Sequence, residues 1–160
     1  MRSLWIGLVL AAMPIFVLAQ SKKDIREAGI KSLTVYKSDY KSGVEKKVKE
    51  SETTYNSNGN ETEVIEYDDL GKITKHEKYT YNSNNDKETI TEYDANGVVK
   101  KVSKYSYNTN NDKAAEVECD ASGNIKKSAK YIYSGKFKTE KDIYDSSNKL
   151  TSKKTYVYGK

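Results

Sequence analysis

From about residue 32 onward, apolar and polar residues alternate with a period of two, and tyrosine punctuates the alternation. Tyr55, Tyr67, Tyr81, Tyr93, Tyr107, Cys119, Tyr133, Tyr144 and Tyr158 follow one another at intervals of 12, 14, 12, 14, 12, 14, 11 and 14 residues, with cysteine standing once where the pattern expects tyrosine. A period of two is the pattern of a half-buried strand, because successive side chains leave a strand on opposite sides. The repeating unit is therefore about 26 residues long and has two unequal halves.

Each beat runs into turn chemistry. One set reads Tyr67-Asp-Asp-Leu-Gly, Tyr93-Asp-Ala-Asn-Gly, Cys119-Asp-Ala-Ser-Gly and Tyr144-Asp-Ser-Ser-Asn. The alternate set reads Tyr55-Asn-Ser-Asn-Gly, Tyr81-Asn-Ser-Asn-Asn and Tyr107-Asn-Thr-Asn-Asn. Asp or Asn at the first turn position accepts backbone hydrogen bonds, and Gly or Asn at the fourth tolerates positive φ. Together they specify a type I turn closed by a glycine-type bulge, a common three-residue hairpin loop. Two turns per repeat give two strands per repeat, and the pattern predicts an all-β antiparallel meander of about ten strands from Ser32 to Tyr158.

Such a loop preserves parity: with Asp94 opposite Val98, Tyr93 faces Val99, and by the same rule Tyr67 faces Ile73, Cys119 faces Ile125 and Tyr144 faces Leu150. Carried along the chain, this expectation gathers odd-numbered residues such as Ile65, Tyr67, Tyr79, Tyr93, Tyr105, Val117 and Tyr131 on one side. Even-numbered residues such as His76, Lys78, Glu92, Lys104, Glu116 and Lys130 gather on the other. The short interval after Tyr133 fits if the Ser134-Gly135 turn has two loop residues, with Tyr133 opposite Lys136. The parity rule leaves open whether the sheet is open or closed, and whether its tyrosine side is buried core or binding surface.

Ahead of the strands, Ser21-Lys22-Lys23-Asp24 has the spacing of a capping box and Gly29 that of a helix stop, which predicts one or two helical turns. Residues 1–19 combine Arg2, an apolar run from Leu4 to Leu18 and a small-residue exit at Val17-Leu18-Ala19. They have the form of a cleaved secretory signal, too short in the apolar run for a membrane span. The expected organisation is a signal peptide at 1–19, a short helical lead-in at 20–31 and one β-repeat domain at 32–160, with a secreted or periplasmic location and no transmembrane segment after cleavage.

Composition sharpens this reading. The net charge is +5, with 28 basic and 23 acidic residues finely interleaved, as in Lys72-Ile73-Thr74-Lys75-His76-Glu77-Lys78. Mixing of this kind marks solvated strand faces and argues against a nucleic-acid partner, which calls for one clustered sign. The single cysteine cannot form an internal disulfide and serves as a substituted filler at the tyrosine position. Aliphatic content is low, so a flat one-layer sheet leans on backbone pairing and cross-strand contacts, and its aromatic side either coils onto itself or meets a partner.

Candidate chemistry is sparse. His76 is the only histidine, and its repeat equivalents are Val102 and Ser128. Without a nucleophile elbow, a metal-binding histidine pair or a phosphate-cradling loop, no catalytic residue, metal site or cofactor is assigned. Asp and Asn in the turns supply oxygen donors but too few carboxylates per loop for calcium. The candidate binding feature is the ladder Tyr79, Tyr81, Tyr105, Tyr107, Tyr131 and Tyr133, whose flat apolar rings with polar tips suit sugar rings or an extended peptide.

The units Tyr79-Thr-Tyr81-Asn, Tyr105-Ser-Tyr107-Asn and Tyr131-Ile-Tyr133, alternating with Tyr93-Asp-Ala-Asn-Gly, resemble the tyrosine-aspartate (YD) repeats of Rhs and teneurin proteins. They are also similar to the shorter, MORN-like repeat proteins of secreted bacterial origin. The resemblance covers residues 55–158. Long arrays of that family enclose a toxic payload; about four repeats are too few for that, and Gly71-Lys72-Ile73 and Gly97-Val98-Val99 replace the usual Gly-Arg-Leu step. It implies the strand-turn-strand unit and an extracytoplasmic setting. The expected function is a non-enzymatic module offering a binding or structural surface at the cell envelope, for a glycan or a protein, with edge-to-edge self-association open to it. The alternative is an immunity-like or delivery-associated partner of a bacterial toxin.

Overall fold

A computed structural model describes residues 21–40 and 43–159; the expected signal segment lies outside the described residues. The fold is one open antiparallel sheet preceded by a short helix. Helix α1 (Lys22–Glu27) is followed by β1 (Ser32–Asp39), β2 (Lys46–Tyr55), β3 (Glu61–Tyr67), β4 (Ile73–Tyr81), β5 (Lys87–Tyr93), β6 (Val99–Tyr107), β7 (Lys113–Asp120), β8 (Ile125–Ser134), β9 (Phe137–Asp145) and β10 (Leu150–Thr155). The ten strands lie in chain order from β1 to β10, each paired with its sequence neighbours, so the meander is unbroken and unclosed.

Turn chemistry acts as its residues demand. Asp94 donates its N–H to the Val98 carbonyl at 2.8 Å, and Gly97 donates to the Asp94 carbonyl at 3.0 Å. The Asp94 carboxylate accepts from the N–H groups of Asn96 (2.8 Å) and Val98 (2.9 Å). Asn56, Asn82, Asp68 and Asp145 accept in the same two-pronged way in their own turns. Where asparagine replaces glycine at the fourth position it bears positive φ, 63° at Asn85 and 66° at Asn111. Local polar satisfaction therefore accounts for the carboxylates of Asp68, Asp94 and Asp145.

The four cross-turn pairs follow the parity rule: Tyr67 faces Ile73, Tyr93 faces Val99, Cys119 faces Ile125 and Tyr144 faces Leu150. Beyond these pairs the rule fails. The next pairs are Glu66 with Lys75, Glu92 with Lys101 and Glu118 with Lys127, so Thr74, Lys100 and Lys126 are each one residue extra in the returning strand. The alternate hairpins repeat the irregularity, with Glu88 extra after Lys87 and Ala114 extra after Lys113. A bulge of one residue reverses which parity points to which face. At several bulges the extra residue is threonine, and its hydroxyl serves a partner-strand carbonyl: Thr74 to Glu66 (3.2 Å), Thr139 to Ile132 (3.2 Å) and Thr151 to Ile143 (3.1 Å).

Aromatic residues consequently do not gather on one side and ions on the other. One face carries Tyr79, Tyr81, Tyr105, Tyr107, Tyr131 and Tyr133 together with Ile90, Glu92, Glu116 and Glu118. The opposite face carries Tyr67, Tyr93, Cys119 and Tyr144 together with His76, Val102, Lys104 and Lys130. The expected loop after Tyr133 also needs correction: two residues form it, but they are Gly135 and Lys136, with Ser134 opposite Phe137 and Tyr133 opposite Lys138.

Helix α1 lies against the N-terminal end of the sheet. Ser21 caps it by accepting from the Asp24 N–H at 3.2 Å, and Gly29 ends it at φ 65°. Ile25 is its buried residue, 3% exposed. Among the described residues the other buried apolar side chains are Tyr79, Cys119 and Ala129, spread along the sheet and not gathered into a central core.

Candidate functional site

The paired tyrosines of β4, β6 and β8, and Tyr156 with Tyr158 just past β10, divide their duties. The second hydroxyl of each pair donates to a main-chain carbonyl on the preceding strand: Tyr81 to Glu61 (2.7 Å), Tyr107 to Lys87 (2.7 Å), Tyr133 to Lys113 (3.0 Å) and Tyr158 to Lys138 (2.8 Å). These carbonyls sit two residues past the last pair of their ladders, such as Glu63 with Lys78 and Thr89 with Lys104, where the neighbouring strand no longer supplies a donor. The phenol supplies it, which avoids the cost of an unpaired backbone acceptor.

The first tyrosine of each pair meets charge. Tyr79 donates to the Glu77 carboxylate, and Tyr131 donates to the Glu116 carboxylate at 2.8 Å. A lysine ammonium lies over each ring: Lys87 at 3.8 Å from the Tyr79 centroid, Lys113 at 4.0 Å from Tyr105 and Lys138 at 5.5 Å from Tyr131. Each of these lysines is also the register partner of the second tyrosine, Tyr81, Tyr107 and Tyr133 respectively. Burial pushes the Lys87 and Lys113 ammonium groups below the usual lysine range. Burial likewise holds Tyr79, Tyr105, Tyr107 and Tyr131 above the ordinary phenol range, and pushes Tyr81 up to about 12.

All six tyrosines of the sequence-derived ladder thus share one face, and the structure adds a lysine to each pair that the sequence reading did not include. The spacing was present as a signal, since Lys87 and Lys113 open, and Lys138 stands second in, the strand after a Tyr-x-Tyr unit. Tyr79 is 8% exposed, and the other five rings are half-buried, lying along the sheet. Around this constant frame two positions vary. Two residues before the first tyrosine stand Glu77, Ser103 and Ala129, and opposite it stand Ile90, Glu116 and Lys141.

At the helix end the same face forms a concavity of about 720 Å³ lined by Lys22, Ile25, Leu33, Tyr55, Tyr81 and Lys87, among others. The turn at Gly59 supports one wall, where the glycine lies so close to α1 that an added Cβ would stand 2.2 Å from the Lys22 carbonyl oxygen. Neighbouring turns are joined by asparagine side chains, Asn58 to Asn85 at 2.6 Å and Asn84 to Asn111 at 3.2 Å.

On the opposite face His76 stacks on Tyr93, with ring centroids 4.6 Å apart, and its Nε2 lies 2.7 Å from Glu63. Packing on Tyr93 and a hydrogen bond with Glu63 account for this histidine. Cys119 is buried at 5% exposure and occupies the position of Tyr67, Tyr93 and Tyr144 in the repeat. Among the described residues no group of three or more His, Cys, Asp or Glu side chains is arranged to hold a metal ion. No described helix is long and apolar enough to cross a membrane.

No protein-family model matches the chain, and no curated protein does. Among solved structures it is similar to a porin-like protein from Bacteroides uniformis, at 18% identity and a TM-score of 0.37 over 74% of this chain and 50% of that one. It is also similar to TarM, at 13% identity and a TM-score of 0.32 over 81% of this chain and 22% of that one. The chain thus spans half the length of the first and under a quarter of the second. Likenesses this remote carry no argument about function.

Proposed function

We propose that this protein is a non-catalytic repeat module whose tyrosine-pair face is a binding surface for carbohydrate or extended peptide, working at the cell envelope. The observation that carries the reading is the placement of all six ladder tyrosines on one face of a single-layer sheet, with a lysine over the first ring of each pair. Aromatic rings with adjacent donors suit the apolar faces and hydroxyls of sugars. The variable positions beside each pair give one frame several local chemistries, as a recognition surface requires and a purely structural one does not. The envelope setting rests on the signal-like residues 1–19 and on the resemblance to YD repeats. The absence of a catalytic constellation in the sequence, and the engagement of His76 by Tyr93 and Glu63, support a non-enzymatic role.

A glycan and peptide array probed with the purified protein tests this. Tyr105→Leu with Tyr131→Leu, which keep apolar bulk at these half-buried positions, should abolish retention of the bound ligand while circular dichroism shows the sheet intact, and Tyr36→Ser on the opposite face should leave retention unchanged. Retention indifferent to the ladder substitutions would refute the reading.

A further inference from the structure

The variable positions make a gradient of charge along the tyrosine-pair face, and it ends in a cluster of lysines. The residue two before the first tyrosine runs Glu77, Ser103, Ala129 and then Lys154, ahead of Tyr156. The residue opposite the first tyrosine runs Ile90, Glu116 and Lys141. Lys141 in turn pairs with Lys154 across β9 and β10. Three ammonium groups surround the single ring of Tyr131, at 4.9 Å for Lys141, 5.5 Å for Lys138 and 5.9 Å for Lys113. Lys138 also lies 4.6 Å from the Tyr156 centroid.

Elsewhere on this face Lys75 and Lys101 are neutralised, while Lys87, over Tyr79, stands singly and, among the described residues, without a carboxylate at ion-pair distance. Lys75 sits 3.3 Å from both Glu66 and Glu77, and Lys101 sits 2.5 Å from Glu92 and 3.7 Å from Glu118. Around Tyr131, Glu116 is the near carboxylate, and it is already engaged by the Tyr131 hydroxyl and by Lys141 at 4.0 Å. Among the described residues Lys113, Lys138 and Lys154 have no carboxylate within ion-pair distance. Like charges held together at partial burial repel, and an anion between them removes that repulsion.

Resting on the binding reading above, we propose that the β7–β10 end of this face is a site for acidic carbohydrate, with Lys113, Lys138, Lys141 and Lys154 holding carboxylate groups and the rings of Tyr133 and Tyr156 lying against sugar faces. A chain whose charges are separated by flat, apolar-faced rings matches ammonium groups that are themselves separated by phenol rings.

The probes are a short polygalacturonate oligomer, its methyl ester, a polyglutamate peptide, duplex DNA and anionic phospholipid vesicles, measured by titration calorimetry or sedimentation with the purified protein. Polygalacturonate should bind and its uncharged ester should not, with affinity falling as salt rises. Lys138→Gln with Lys141→Gln should weaken binding about tenfold or more, since two charge-assisted contacts are lost. Exposed Lys154→Gln, which cannot disturb the fold through burial, should weaken it in the same direction, while Lys104→Gln on the opposite face should not. Equal binding of ester and acid, or preference for polyglutamate, DNA or vesicles, overturns the proposal. A protein that ignores polygalacturonate yet retains neutral glycans or peptides through Tyr105 and Tyr131 overturns this inference alone; one that retains nothing overturns both readings.

Discussion

At the scale of the residue, the tyrosine hydroxyls decide how strand ends are held. Each second tyrosine of a pair fills a carbonyl that the sheet leaves without a donor, as Tyr107 does for Lys87 at 2.7 Å. Tyr107→Phe keeps the ring and removes the bond, and should lower stability by about 1 kcal/mol, read as a shift of the urea midpoint. Tyr36→Phe, at an exposed ring, should leave it unchanged. Glycine offers a second comparison. Gly59 and Gly97 share positive φ, 75° and 79°, but only Gly59 lies against α1. Gly97→Ala should cost about 1–2 kcal/mol for the backbone conformation alone. Gly59→Ala should cost more and should also loosen the helix, which trypsin would report by faster cleavage at Lys22, Lys23 or Arg26. The aspartate and glycine duties at the turns were legible in the sequence because each is local, the partners of Asp94 lying two and four residues away; the tyrosine hydroxyls reach carbonyls 20 residues away and their duty was not.

At the scale of the element, the bulge governs everything the parity rule misplaced. The three-residue loop sets Tyr93 opposite Val99 as its residues require, and then Lys100 adds one position and turns the rest of β6 over. Tyr105 and Tyr107 therefore stand on the face opposite Tyr93. Deleting Lys100 should bring back the unbulged register and drive the β6 tyrosines to the wrong side, with loss of cooperative unfolding in denaturant. Lys100→Ala at the same exposed position should change stability by no more than about 0.5 kcal/mol. The sequence held a partial signal for this feature in the recurrence of threonine at Thr62, Thr74, Thr139 and Thr151. Lysine, glutamate and alanine serve equally at Lys100, Glu88 and Ala114, because a bulge asks for an extra backbone unit and makes little demand on the side chain.

At the scale of the whole molecule, stability is spread along the sheet, since buried apolar side chains are few and lie far apart. Half-buried phenols that stay neutral take the place of a central core, and this makes the fold sensitive to alkali. Tyr79, Tyr81, Tyr105, Tyr107 and Tyr131 all have folded-state pKa values above the ordinary value of 10.0, with Tyr81 at about 12. A group whose pKa is raised by folding contributes its full stabilisation below the unfolded pKa and loses it as pH climbs through the folded one. Stability should therefore hold up to about pH 10 and fall between about pH 10 and 12, with tyrosinate absorbance and loss of the β signal in circular dichroism rising together. Tyrosinate appearing well before the sheet melts would contradict it.

The amino-acid sequence by itself determined the antiparallel meander of about ten strands and, at the four Asp-led turns, the pairs that flank the turn, because those depend on interactions within about five residues of chain; the two-residue turn after Tyr133 it placed one residue early. It also set apart the six tyrosines that come to share one face. Only the tertiary structure decided that the remaining tyrosines lie on the other face, that a lysine covers the first ring of each pair and that charge runs from acidic to basic along the sheet. Those relations depend on register between strands, and a single unpaired backbone residue, only partly marked in the side-chain pattern, is enough to reverse it.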